Sequence, residues 1–376
     1  MRRWLSDPLK NDLQKKLVLL SGPRQVGKTT LGKSLYQNFD YLNFDSAEDR
    51  RQLMRKQWNR SADLVIFDEL HKMKKWKSWI KGVYDTEKRP PALLVTGSAR
   101  LDTYKKGGDS LAGRHFTFRL HPFTVKELSG QVTPEDCLQR LLTVGGFPEP
   151  FLKNSVVEAR RWRRGHLDVI LREDLLDLEK VRNIKSIEIL IDLLRVRVGS
   201  TVSYSSLAED LQVSIHTVKM WLQILENLYV IFPVRTYHKN IARSILKDTK
   251  YYFFDNGQVE GDDGQRLENV VACALWAELQ AIEDLTGQRT ALHFLRDKEK
   301  REIDFLTVVQ NRPTAMVEVK WSDREISRSF SAYFKRLGRL PAFQVVRELS
   351  RPISTSEVSL VAAAPFLANL SFLSSA

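Results

Sequence analysis

Along the first 150 residues, short apolar runs alternate with stretches of helical period. Leu17-Val-Leu-Leu, Tyr41-Leu-Asn-Phe-Asp, Leu64-Val-Ile-Phe and Ala92-Leu-Leu-Val-Thr read as strands. Runs of this continuous kind mark strands buried on both sides, and with helices between them they predict a parallel sheet covered on both faces. After Pro148-Glu-Pro150 the pattern changes. Residues 156–198 read as charged helix, and 204–228 as two short helices followed by the apolar run Tyr229-Val-Ile-Phe-Pro-Val234. From Lys250 the order is strand, helix, hairpin, strand and helix. Soft boundaries near 150 and 245 divide the chain into 1–150, 151–245 and 246–376.

The first apolar run leads into Gly22-Pro23-Arg24-Gln25-Val26-Gly27-Lys28-Thr29, with Thr30 opening a helical stretch. This is the phosphate-loop pattern. Glycines let backbone amides turn inward around phosphate, a lysine reaches the β- and γ-phosphates, and a hydroxyl meets magnesium. The helix behind the loop aims its N-terminal dipole at the same anion. Gly22 to Thr30 are thus the candidate ATP contacts, with Thr29 a candidate Mg2+ ligand. The run Leu64-Val-Ile-Phe ends in Asp68-Glu69, which predicts Asp68 on magnesium and Glu69 on the attacking water. Thr96-Gly-Ser98 ends a later strand, where a side chain can touch the γ-phosphate or orient water; Ser98 is the first choice and Thr96 the second. Ser110-Leu-Ala-Gly-Arg114 offers an arginine that a neighbouring subunit could supply to the phosphates. Lys28, Glu69, Ser98 and Arg114 are the candidate catalytic residues.

Two further patterns carry chemistry. Asp304 opens an apolar run, and Glu318-Val-Lys320 follows on a strand where alternate residues share a face. Glu268 lies on the preceding helix. Together they predict a possible second magnesium site of Glu268, Asp304 and Glu318, with Lys320 beside it to orient water, in the order seen in restriction-endonuclease-like cores. Residues 204–228 predict a helix-turn-helix, with Ser205 or Ser206 capping the first helix and Ser214 the second. Ser214, His216, Thr217 and Lys219 stand where a major-groove reader makes contacts. Arg160, Arg161, Arg163 and Arg164, and the lysines 72, 74, 75 and 77 interleaved with Trp76 and Trp79, are further candidates for phosphates and exposed bases.

These motifs, with Leu120-His-Pro-Phe123, Gly145-Gly-Phe-Pro-Glu149, Phe253-Phe-Asp-Asn-Gly257, Leu267-Glu-Asn269 and Glu302-Ile-Asp-Phe305, resemble a family of bacterial and archaeal AAA-type ATPases with a C-terminal domain of unknown function. The resemblance covers nearly the whole chain. It implies an α/β protein with an AAA-like P-loop NTPase core, a helical and winged-helix middle region, and a restriction-endonuclease-like α/β C-terminal domain.

Composition narrows the picture in three ways. The net charge of +13 favours a polyanionic partner such as DNA. Two cysteines, Cys137 and Cys273, are too few and too far apart for a zinc site or a disulfide framework, and fit a reducing cytoplasm. No apolar run is long enough to span a bilayer, and no membrane partner is expected. The resulting expectation is a cytoplasmic, magnesium-dependent ATPase that acts on DNA as a motor or remodeller in the form of a ring-like homo-oligomer. Two rivals stand beside it: a signalling-switch or toxin–antitoxin-like NTPase, and an ATP-gated nuclease.

Overall fold

The computed structural model describes residues 1–87, 91–98, 111–174, 183–238, 249–322, 325–349, 353–355 and 357–371 of the 376-residue chain. Two compact units emerge. The first is formed chiefly by Met1–His121, and the second by Pro122–Arg172 and most of the chain after it.

In the first unit, strands β1 (Leu17–Ser21), β2 (Phe39–Asn43), β3 (Leu64–Asp68), β4 (Ala92–Gly97) and β5 (His115–Arg119) form one sheet in the order β2-β3-β4-β1-β5. Every pairing is parallel. Alternation along each strand sends Leu17, Leu19, Val65, Phe67 and Val95 into a core with Trp58, Trp76, Ile80 and Val83. The last three share one stripe of the amphipathic helix Trp76–Thr86. Ile66 and Leu94 face the other way, against the helix Lys28–Leu35. A Cβ added to Gly32 of that helix would lie 3.0 Å from Leu94 Cδ2 and 3.4 Å from Ile66 Cδ1. Because β4 lies between β1 and β3, the carboxyl ends of three adjacent strands meet at one edge, the edge where open parallel sheets bind ligands.

The second unit is built on a nine-stranded sheet. Its strands are β6 (Thr201–Val202), β7 (Ile231–Thr236), β8 (Thr249–Phe253), β9 (Thr290–Arg296), β10 (Glu302–Val309), β11 (Arg312–Lys320), β12 (Ala342–Val346), β13 (Ile353–Ser354) and β14 (Ser359–Ala362). The spatial order is β13-β14-β12-β11-β10-β9-β7-β8-β6. The strands on either side of position 245, β7 and β8, are antiparallel partners in this sheet, and β7 continues into β9 through Arg235↔His293. The helices Tyr204–Asp210 and Ile215–Asn227 lie between β6 and β7 in sequence. Ser203, not Ser205 or Ser206, caps the first of them: leaving β6 in extended conformation, its hydroxyl reaches the Ser206 amide. Ser214 accepts from the Thr217 amide at 3.1 Å. Of the stretch expected to be helical over 156–198, Val156–Val169 and Ile184–Arg195 are α-helix, and residues 175–182 lie outside the described residues.

The long helix Asp263–Thr286 opens on a capping box between Asp262 and Gln265 and ends at Gly287 in left-handed conformation. Asn269 fixes its register against β8, since its side chain accepts from the Phe253 amide at 2.9 Å and donates to the Phe253 carbonyl at 3.0 Å. That lock holds Glu268 opposite the same strand.

Candidate functional site

The loop after β1 is a run of unusual backbone. Gly22 (φ +150°), Gln25 (+61°) and Gly27 (+99°) all have positive φ, a conformation that turns successive amides toward one side. At Gly22 a side chain is excluded outright, because a Cβ would sit 2.3 Å from the Leu120 carbonyl oxygen. Lys28, buried at the start of the helix, donates to the carbonyls of Gly22 and Pro23 at 2.9 and 2.8 Å.

Asp68, at the end of β3, is the meeting point of this edge. Thr29 Oγ1 and Tyr41 Oη each donate to its Oδ2 at 2.8 Å, and Thr96 Oγ1 from β4 donates to Oδ1. Next to it, Glu69 is held in left-handed conformation (φ +53°) with its amide on the Thr96 carbonyl. A non-glycine residue there costs on the order of 1–3 kcal/mol, which surroundings must offset. Glu69 Oε2 accepts from Ser98 Oγ at 3.1 Å and lies 3.6 Å from His71 Nε2. His71 is almost wholly buried, its Nδ1 has no hydrogen-bond partner among the described residues, and burial pushes its pKa below the ordinary histidine value.

Lys28, Thr29, Asp68, Glu69, Thr96 and Ser98 thus converge from three strand ends. Ser98 touches Glu69 while Thr96 touches Asp68, so both serine and threonine take part, each on a different carboxylate. Tyr41 and His71 gave no sequence signal for the site; Tyr41 was read only as part of a strand. The donor set fits magnesium: one carboxylate and one hydroxyl, both hard oxygens, with the remaining positions left to phosphate and water as that ion prefers. Arg114 lies apart, in a two-pronged pair with Asp85 of its own chain at 2.8 and 3.2 Å. Ser110, the first residue of the motif that ends in Arg114, lies outside the described residues.

The second acidic cluster is different. Asp304 Oδ2 accepts from the Val319 amide at 2.9 Å, and Glu318 Oε2 accepts from the Asp304 amide at 3.3 Å. Lys320 Nζ is 3.1 Å from Glu318 Oε1. Glu268 accepts from Tyr252 Oη at 2.6 Å. Between them lies Lys250 from β8, which sequence reasoning missed: its Nζ is 2.6 Å from Glu302, 3.4 Å from Glu268 and 3.6 Å from Asp304. Its position in the apolar run Lys250-Tyr-Tyr-Phe-Phe, on the face shared with Tyr252, was the available signal. Burial, and then the neighbouring Asp304 charge, raise Glu268 to about 7 and Glu318 to about 8. The magnesium site expected from Glu268, Asp304 and Glu318 does not fit these side chains, because an ammonium already stands among the oxygens. Among the described residues no three of His, Cys, Asp and Glu form a metal-holding group.

Two surface expectations are corrected. Trp76 is buried and offers no face to a base, and Trp79 is half-buried, packed edge-on against Phe67 and Trp58 at ring distances of 5.6 and 6.1 Å, which commits it chiefly to the core. The helical period puts Trp76 in the core stripe with Ile80 and Val83, and Trp79 packs against its margin, while Lys74 and Lys75 before the helix are exposed. Arg163 is likewise a structural pin, donating to Asp255 at 2.6 Å and to the Val144 carbonyl at 3.2 Å. Arg160 and Arg164 are exposed and line a broad cleft of about 1580 Å³ with Arg172 and Arg266. Ser214, His216 and Lys219 are exposed on the helix Ile215–Asn227 and its cap.

Residues 14–129 match the AAA domain family. This stretch contains the loop, Asp68, Glu69, Ser98 and Arg114. Residues 135–260 and 263–363 match two domains of unknown function, DUF8612 and DUF4143. An uncharacterized protein of Mycobacterium tuberculosis is 27% identical over 324 residues, covering 83% of this chain and 72% of its own. An uncharacterized protein of Methanocaldococcus jannaschii is 21% identical over 359 residues, covering 86% and 79%. Among solved structures, a Signal Transduction ATPase with Numerous Domains from Pyrococcus horikoshii, carrying a tetratricopeptide repeat sensor, aligns at 13% identity and a TM-score of 0.23. That alignment covers 76% of this chain but only 48% of the Pyrococcus chain, and is too loose to argue from. The AAA-type domain followed by domains of unknown function is therefore supported by family matches as well as by residues. No described helix is long and apolar enough to cross a membrane.

Proposed function

We propose that the chain binds ATP at the edge formed by β1, β3 and β4 and hydrolyses it, and that turnover responds to DNA held by the second unit. The observation that carries the ATPase reading is the pairing of Thr29 with Asp68 at 2.8 Å, beside Glu69 and Ser98 at 3.1 Å. Loop amides and Lys28 hold the β- and γ-phosphates. Thr29 and Asp68 would hold magnesium, which would supply charge neutralisation at the phosphate oxygens. Glu69 takes the attacking water as hydrogen-bond acceptor, and Ser98 holds the carboxylate in place. Arg114 of a neighbouring copy completes the charge balance in a homo-oligomer, released from its Asp85 pair.

DNA is the partner best supported by the charge of +13, by the exposed Arg160 and Arg164, and by the exposed face of the helix Ile215–Asn227, read as a winged helix. The nuclease-like reading of the last part of the chain concerns its fold, not cleavage. The test is ATP turnover with and without single-stranded, duplex and branched DNA. DNA-stimulated turnover supports the proposal; turnover indifferent to all three, with no salt-sensitive binding, favours the signalling-switch account.

A further inference from the structure

Lys250 is 1% exposed and nevertheless carries a charged head. Buried lysines are rare and persist only where acids repay their lost hydration. Here the acids come from two remote elements: Glu268 from the helix Asp263–Thr286, and Glu302 and Asp304 from β10. The ammonium has three N–H donors and faces three carboxylates, at 2.6, 3.4 and 3.6 Å. Burial opposes its charge, but the charges of Glu268, Asp304 and Glu302 together hold its pKa above the ordinary lysine value.

The rest of the cluster is equally committed. Of the Asp304 oxygens, Oδ2 takes the Val319 amide and Oδ1 faces Lys250. Both Glu318 oxygens are engaged, one by Lys320 and one by the Asp304 amide. Arg296 from β9 adds a further cation, its Nε 3.7 Å from Glu302. A divalent ion needs several oxygens converging at about 2.0–2.6 Å. Here that convergence is directed at an ammonium, and an ion brought to the same oxygens would meet the positive charge of Lys250 at close range.

We propose that Lys250 is a built-in cation, standing in the place where this arrangement of carboxylates would otherwise hold a divalent metal. The second unit accordingly keeps its acidic cluster neutralised without metal. The same geometry makes the cluster a latent metal site, opened by removing one side chain. This inference does not depend on the ATPase reading.

The experiment is Mn2+ titration of the full-length, nucleotide-free chain, followed by electron paramagnetic resonance of the unbound ion. Wild type and Asp304→Asn should give superimposable curves, since Asp304 holds no metal. Lys250→Met should gain one Mn2+ per chain, bound roughly tenfold or more tighter than any site of the wild type, and lose it again in Lys250→Met/Asp304→Asn. If mutual repulsion of the acids unfolds Lys250→Met, as circular dichroism would reveal, Lys250→Met/Glu302→Gln removes one charge and restores the comparison. A wild-type Mn2+ site that disappears in Asp304→Asn overturns the proposal, whatever the lysine variants do. So does a folded Lys250→Met that gains no metal.

Discussion

Asp68 closes one apolar strand and Asp304 lies near the start of another, and the groups that touch them differ in kind. Asp68 is met by three hydroxyls, those of Thr29, Tyr41 and Thr96. Hydroxyls are neutral, rotate freely, and can turn from donor to acceptor when a cation arrives. Asp304 is met by a backbone amide and by the Lys250 ammonium. An amide cannot turn away, and an ammonium already satisfies the charge. The same residue type thus becomes a site open to magnesium in one unit and a closed ion cluster in the other. The neighbours decide, and a carboxylate counted in a motif does not by itself predict a metal.

The strongest way to break this contrast is at the first site. Lys28→Ala should reduce ATP turnover at least about a hundredfold, the scale for removing one preorganised charge-stabilising group. Glu69→Gln should do the same while still binding ATP, because it spares Asp68. Asp68→Asn should abolish magnesium-dependent turnover, whereas Asp304→Asn should leave turnover without DNA within about twofold, as sites that share no partner act independently. Wild-type turnover in Glu69→Gln would show that the acid pair after β3 has been assigned the wrong roles.

A smaller effect is expected at Arg114, whose pair with Asp85 keeps it on its own chain. Arg114→Ala should bind ATP normally and turn it over some tens of times more slowly, as for an arginine supplied in trans. Mixing it with an equal amount of Lys28→Ala should recover part of the activity, since each copy then supplies what the other lacks. Loss of nucleotide affinity in Arg114→Ala alone would make it a structural arginine.

Next comes DNA. Affinity should fall with salt at a slope of about −0.9 per duplex phosphate neutralised. Arg160→Ala/Arg164→Ala should flatten that slope by up to about 1.8 if both meet phosphates. Arg163 is left intact in this test because its loss would unseat Asp255 and the Val144 turn. An unchanged slope would assign the cleft arginines to solvent.

The contrast between the units also explains what the sequence could and could not reveal. The phosphate-loop pattern was legible because wrapping an anion needs consecutive backbone amides, so the residues from Gly22 to Thr29 are contiguous. The parallel sheet was legible because strands buried on both faces read as unbroken apolar runs. The role of Lys250 was not legible beyond its place in an apolar run, because its partners Glu268, Glu302 and Asp304 come from a helix and a strand that only the folded second unit brings together. Trp76 and Trp79 misled for a local reason, since their lysine neighbours suggested a surface while the helix places Trp76 in the core and packs Trp79 against it. The serine that caps the helix Tyr204–Asp210 was misread by two or three positions, because several serines in a row offer equivalent local chemistry.

The smallest expected effect concerns pH, where the two sites should behave oppositely. Burial first, and then the Asp304 charge, raise Glu318 to about 8, while Lys320 pulls the other way. An acid whose folded pKa lies above its unfolded value binds more protons when folded, so its contribution is complete below the unfolded pKa, near 4.5, and is lost as pH rises toward about 8. His71 has the opposite sign: burial lowers it, so its contribution is present above the ordinary histidine value and is lost as pH falls through the depressed one. Glu318→Gln isolates the first effect, because glutamine keeps the shape and does not titrate. The melting temperature of wild type, relative to Glu318→Gln, should fall by on the order of a few °C between pH 5 and 8 and change little above that. A difference that stays constant across this window would mean that Glu318 is ionised throughout, with Lys320 outweighing its burial.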